Sequence, residues 1–217
     1  MSELKEILKF YGEMGAEFLH LPVSDPRTDL AELNRSILQC RQCRLHESKT
    51  HYVPGEGSSR PDILFIGEGP GQTEDQFGRP FIGNAGQLLD KIIQKMGYRR
   101  EDVFIGNVVK CRPPNNREPL IDEVEACLPF LRRQIELLKP KIIVCLGKVA
   151  LNNLLGTSHS MGRIRGQLLR FNDIPLIPTY HPSFILHKKE KEEISQAKRE
   201  VWEDMQKALA VISGQRP

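Results

Sequence analysis

Apolar residues along this chain follow two rhythms. Four short runs, 62–67, 103–109, 141–146 and 175–179, are nearly continuous in Ile, Leu, Val and Phe. That is the pattern of strands buried on both faces. Around them, apolar positions recur at helical spacing. Residues 84–96 put Leu88, Leu89, Ile92, Ile93 and Met96 on one side and then meet Gly97, a ready helix stop. Residues 120–138, opened by Pro119, do the same with Val124, Leu128, Leu131, Ile135 and Leu138. A shorter helix is predicted over 147–155 and a surface helix, its lysines balanced by glutamates, over 190–212. Towards the N-terminus, residues 2–20 carry Leu4, Ile7, Leu8 and Tyr11 at the same period. A second helix runs from Thr28 or Asp29 to about Gln39. The polar, Gly- and Pro-rich stretch 40–61 reads as loop.

Strands that alternate with helices predict an α/β fold, with three α/β/α layers around a central, mostly parallel four-stranded sheet. One domain is expected over 38–213, after an N-terminal helical segment, 1–37. Such sheets bind ligands beyond the carboxyl ends of their strands. Chemistry is therefore expected in 67–83, 107–117, from 147 onward and in 180–189.

Composition narrows the function classes. The 217 residues are 39% hydrophobic and 27% charged, ordinary for a globular protein. No apolar run is long enough to cross a membrane, so no membrane partner is expected. The amphipathic, Glu-bearing N-terminus is not an export signal, and a cytoplasmic location is expected. The net charge of +3 is too small to establish a nucleic-acid partner. The five cysteines are odd in number, which argues against a disulfide framework.

Four of the five point to a metal. Cys40 and Cys43 form a C-x2-C pair in an Arg-rich loop, Cys111 follows a strand, and Cys127 lies in the helix over 120–138. Two thiolates from one tight loop and two from elsewhere can converge on a soft metal. Spacing alone leaves zinc and a [4Fe–4S] cluster both open. Cys145, among Ile142, Ile143, Val144 and Leu146, reads as a core residue.

The stretch GEGPG, Gly67 to Gly71, follows a strand but fits neither common phosphate-binding turn. Gly67, Gly69 and Gly71 break the G-x-G-x-x-G spacing, and no Gly-Lys-Ser/Thr follows. A pocket lined by backbone amides, with Glu68 facing the reacting centre, fits better. Its companions are Phe81 in the turn GRPFIG, Asn107 at a strand end and His181 in TYHPSFIL. Asn107 offers one donor and one acceptor to an amide-like edge.

Taken together, GEGPGQTEDQFGRPFIGNAGQLLD, NVVKCRPPNNREP, the helix holding Cys127, and HPSFIL resemble the family 4, iron–sulfur uracil-DNA glycosylases over about residues 38 to 210. The family usually has Ala where this chain has Gly69. The resemblance implies a DNA-repair enzyme that flips uracil out of DNA and hydrolyses its glycosidic bond; separately, a monomer is expected. The resemblance implies cluster ligands at Cys40, Cys43, Cys111 and Cys127, which turns the metal expectation to [4Fe–4S], with zinc as the alternative. It implies an aromatic plate at Phe81, a reader of uracil's polar edge at Asn107, and catalytic residues at Glu68 and His181. Amides of Gly67, Gly69 and Gly71 are expected around the base. In the HPSFIL loop, Ile185 or Leu186 is expected to wedge into the base stack, with Lys188 and Lys189 near phosphates. Two other classes stand as alternatives: a uracil-DNA-binding protein without turnover, and an iron–sulfur electron carrier.

Overall fold

The computed structural model describes residues 26–215; the expected helix over 2–20 lies outside them. In chain order the elements are α1 (Pro26–Leu38), α2 (Leu45–Ser48), β1 (Glu56–Gly57), β2 (Ile63–Gly67), α3 (Gln72–Phe77), α4 (Asn84–Lys95), β3 (Phe104–Asn107), α5 (Ile121–Leu138), β4 (Ile142–Leu146), α6 (Lys148–Leu155), α7 (Met161–Ile164), β5 (Leu169–Phe171), β6 (Ile174–Thr179), α8 (Pro182–Leu186) and α9 (Lys191–Ile212).

The sheet has six strands in the order β1-β3-β2-β4-β6-β5. The four central strands are the four expected from sequence, and all are parallel. The expected count of four is corrected by two short antiparallel edges, β1 on β3 and β5 on β6. Both edges escape the hydrophobic pattern because they are two and three residues long and only partly buried. The hairpin from β5 to β6 turns through Asn172, whose φ is 51°, a backbone conformation Asn tolerates well.

Period-two alternation divides the core into two halves. Leu64 and Ile66 of β2 face α1, α5 and α6 together with Phe104, Leu131, Ile135, Ile143, Ala150 and Leu151. Ile63 and Phe65 face α4 and α9 together with Leu89, Ile93, Val144, Ile177, Met205 and Ala208. Each parallel strand is therefore apolar on both sides, as three layers require. Cys145 is fully buried in the first half, as its neighbours in sequence imply.

The chain runs from β2 to β3 on one side of the sheet and crosses to β4 on the other. A crevice opens beyond the strand ends where the order reverses. Gly67, Asn107, Leu146 and Thr179 are the last residues of the four parallel strands, so the segments that leave them meet at one rim.

Candidate active site

A cleft of about 820 Å³ occupies that rim, and its walls include Glu68, Gly69, Gly71, Glu74, Phe81, Asn107, Glu118, Lys148, Tyr180, His181 and Phe184. Segments far apart in sequence thus converge as the pattern predicts. Gly67 lies just beneath. A Cβ there would stand 2.5 Å from both the Phe81 ring and the Asn107 amide oxygen, so only glycine lets these two side chains lie side by side. Gly69 packs against Val109, and Gly71 caps α3.

Phe81 is held in a left-handed backbone conformation, φ 49°, which costs an aromatic residue on the order of 1 kcal/mol and needs outside support. The support is specific. Arg100 donates to the carbonyl of Phe81 at 3.0 Å and to that of Pro80. Its guanidinium is fixed in turn by Glu56 and Asp90, each at 2.7 Å. Glu74 accepts the backbone N–H groups of Ile82 and Gly83 at 2.9 and 2.8 Å. Gly86 lets the first turn of α4 pass against the Phe81 carbonyl, where a Cβ would overlap it. Neither Arg100 nor Glu74 carries a sequence signal that ties it to the site.

Asn107 is 1% exposed. Its backbone is locked because Val108 and Val109 donate to the carbonyls of Gly67 and Glu68 at 2.9 and 3.1 Å. Its Oδ1 is buried and has no hydrogen-bond partner. Buried polar atoms are nearly always satisfied, so this acceptor stands ready for a donor from a ligand.

His181 lies 5.5 Å from Phe81, ring centroid to centroid. The backbone N–H of Ser183 donates to His181 Nδ1 at 3.1 Å, and Ser183 Oγ stands 2.7 Å from the same atom. A backbone N–H can only donate, so Nδ1 carries the lone pair and Nε2 carries the hydrogen. Burial lowers the pKa of this histidine to about 4. It is therefore a neutral imidazole with its N–H turned away from Ser183.

Glu68 is half buried, and its carboxyl is pushed above the usual carboxylate range, first by burial and then by Glu118. Lys148, 3.6 Å from Glu118, works against the shift.

The HPSFIL segment corrects one expectation. It forms α8, and its turn points Ile185 inward, where it is 3% exposed and packs with Ala197 and Val201 of α9. Ile185 is a core residue and not a free wedge. Leu186, Lys188 and Lys189 stay on the outside, with Lys188 Nζ 3.3 Å from Glu193. Phe184, passed over in the sequence, is 38% exposed at the edge of the cleft.

Behind the cleft, Cys40, Cys43, Cys111 and Cys127 line one small pocket with Tyr52, His46 and Lys110. All four are free thiols. Tyr52 donates to the Cys40 carbonyl at 2.6 Å, and the Lys110 backbone N–H donates to Cys127 Sγ at 3.2 Å. Burial pushes the Cys111 thiol up to about 12 and that of Cys127 to about 11, so thiolates here require positive charge beside them. Among the described residues, no three His, Cys, Asp or Glu side chains are gathered closely enough to hold a single metal ion. Lys110 joins the two sites. Its buried Nζ donates to the Asn107 carbonyl at 2.8 Å and to Gln134 Oε1 at 2.6 Å.

A family model, the Uracil DNA glycosylase superfamily, matches residues 54–206. A type-4 uracil-DNA glycosylase of Thermotoga maritima is 44% identical over 189 residues, which span 86% of this chain and 96% of that protein. A type-4 enzyme of Archaeoglobus fulgidus is 43% identical over 172 residues, 76% of this chain and 86% of its own. One from Pyrobaculum aerophilum is 46% identical over 168 residues, 74% and 86% of the two chains.

Proposed function

The chain belongs to the uracil DNA glycosylase superfamily, and on that premise we propose how its cleft acts: it takes uracil out of DNA and hydrolyses the bond to deoxyribose. The observation that carries the reading is Asn107. A buried amide oxygen without a partner, beside a buried aromatic ring, calls for a flat ligand that donates an N–H at its edge. Uracil N3–H suits that acceptor, and the Asn107 amide N–H₂ suits its O4. Cytosine presents an acceptor at N3 and leaves Oδ1 facing a lone pair, a mismatch that buried sites reject strongly.

Extrusion of the nucleotide costs a few kcal/mol, and stacking on Phe81 returns roughly 1–3 kcal/mol of it. As the C1′–N1 bond breaks, negative charge gathers on the base and positive charge on the sugar. The neutral His181, through its Nε2–H, is suited to donate to the base oxygen that gains charge. A neutral donor gains strength only as that charge appears, so it favours the transition state over the bound substrate. Glu68 faces the sugar side, where its carboxylate orients water or balances the sugar cation. Its raised pKa makes it a better base than a free glutamate.

Cys40, Cys43, Cys111 and Cys127 are our candidates to hold a [4Fe–4S] cluster. Four cysteines around one pocket suit either zinc or an iron–sulfur cluster, and the likeness to the type-4 enzymes turns the choice to the cluster. The cluster supplies structure, pinning the loop around Cys40 and Cys43 to the segment 107–111. Leu186, Lys188 and Lys189 are the candidate DNA contacts on the α8 rim.

The test is release of uracil from a uracil-containing oligonucleotide, read as strand cleavage after alkali. Cleavage at the uracil, absent with thymine or cytosine in its place, is expected. A stable protein–DNA adduct without free uracil would favour a binder, and no reaction from protein with its full visible absorbance would favour an electron carrier.

A further inference from the structure

The cleft is far larger than a pyrimidine, and its outer edge carries an aromatic pair that the base-binding residues do not use. Tyr180 and Phe184 are stacked, with ring centroids 4.3 Å apart and planes at 17°. Both line the cleft. We propose that this pair is a stacking step for the base next to the extruded nucleotide on the same strand. The inference rests on the glycosylase reading and deepens it.

Three observations carry the proposal. First, Phe184 is exposed where its neighbour Ile185 is buried, so the loop offers DNA an aromatic ring and keeps its branched aliphatic for the core. Second, the ring is placed rigidly relative to the base pocket. The Phe184 N–H donates to the His181 carbonyl at 2.9 Å within the turn that also fixes the His181 imidazole. Tyr180, beneath the ring, has the Arg165 guanidinium 5.7 Å from its own centroid, and Arg165 is tied to the buried Asp204 at 2.8 Å. Third, a cation lies over the ring. Lys188 Nζ stands 5.0 Å from the Phe184 centroid while pairing with Glu193. A phosphate draws such a lysine away, and a base is the natural replacement on the vacated ring. Aromatic stacking tolerates every base, so the step grips the strand without reading its sequence.

The test is a cycle between protein and substrate. Oligonucleotides carry one uracil with either the 5′ or the 3′ neighbour replaced by a baseless tetrahydrofuran residue. Wild-type protein is expected to lose roughly tenfold in kcat/KM on removal of one of the two neighbours. Phe184→Ala should lose a similar factor on the intact oligonucleotide and nothing more on the sensitive baseless one. Phe184→Tyr should restore the wild-type response, whereas Phe184→Leu should not. An unchanged Tm and visible absorbance establish that the variants are folded. Additive losses, indifference to both neighbours, or full recovery with Leu would overturn the proposal. Should no uracil be released at all, the glycosylase reading fails, and the same cycle read as binding by fluorescence anisotropy still decides the stacking step.

Discussion

Two sites sit back to back on the stretch 107–111, and they are organised in opposite ways. Asn107 faces the cleft and Cys111 faces the sulfur pocket, with Lys110 bonded towards both. Arg100, Glu74, Ser183 and the backbone bonds of Val108 and Val109 already hold the working groups of the cleft. The sulfur pocket is held differently: burial raises the Cys111 and Cys127 thiols, so the cluster proposed there would supply the charge that makes them thiolates. Hydrogen bonds thus fix the cleft residues in advance, whereas on the proposed reading the sulfur pocket would take its order from the cofactor.

The largest effect that sharpens this contrast is on the cleft. Asn107→Ala should lower kcat/KM by roughly 10²–10³-fold, with Tm and visible absorbance near wild type. Turnover close to normal would sink the role given to its orphaned oxygen. On the other side, Cys127→Ala should remove the visible absorbance and lower Tm by roughly 5–10 °C. A colourless variant with an unchanged Tm would mean the sulfur pocket holds nothing up.

A smaller effect lies at the junction. Lys110→Met keeps the length of the side chain but deletes its bonds to Asn107 and Gln134. It should cost about tenfold in kcat while the cluster absorbance stays. Loss of colour together with activity would show that Lys110 serves the cysteines alone.

The smallest effects are in pH. The role proposed for Glu68 requires it ionised, and burial with Glu118 raises its pKa, so on that reading activity should fall on the acid side above the usual carboxylate range. Glu118→Gln should move that limb to lower pH. An unmoved limb in rate profiles would remove Glu68 from the base role. His181 contributes to stability instead. Its folded pKa of about 4 is below its ordinary 6.5, so the unfolded chain takes up the proton first. Stability from this group is full above about 6.5 and is lost as pH falls towards 4. Denaturant titrations of His181→Gln should show a flatter slope in that window.

Much of the fold was legible because buried strands and amphipathic helices announce themselves by period. All four parallel strands and the helices α4, α5, α6 and α9 lie where the apolar pattern puts them, to within a few residues. In 103–109 the strand stops at Asn107, yet Val108 and Val109 go on bonding to the loop beyond β2, so the apolar run was read longer than its ladder. The short edges β1 and β5 and the short helices α2, α3, α7 and α8 were missed. Elements of two to six residues carry too few positions to show a period.

In the site, residue types and their order along the chain were enough to nominate Glu68, Phe81, Asn107 and His181, because each lies at a strand end or in the segment that leaves one, and a parallel sheet gathers its strand ends at one rim. Sequence could not say which side chains hold them. Arg100 reaches Phe81 across 19 positions, and Glu74 reaches Gly83 across nine. Such contacts depend on how loops fold over one another. The same holds for Ile185 and Phe184: adjacent and both apolar, they are sorted into core and rim only by the turn of α8 against α9. Local chemistry is written residue by residue, whereas burial is a property of the packed whole, and the neutral state of His181 and the unpartnered oxygen of Asn107 both follow from burial.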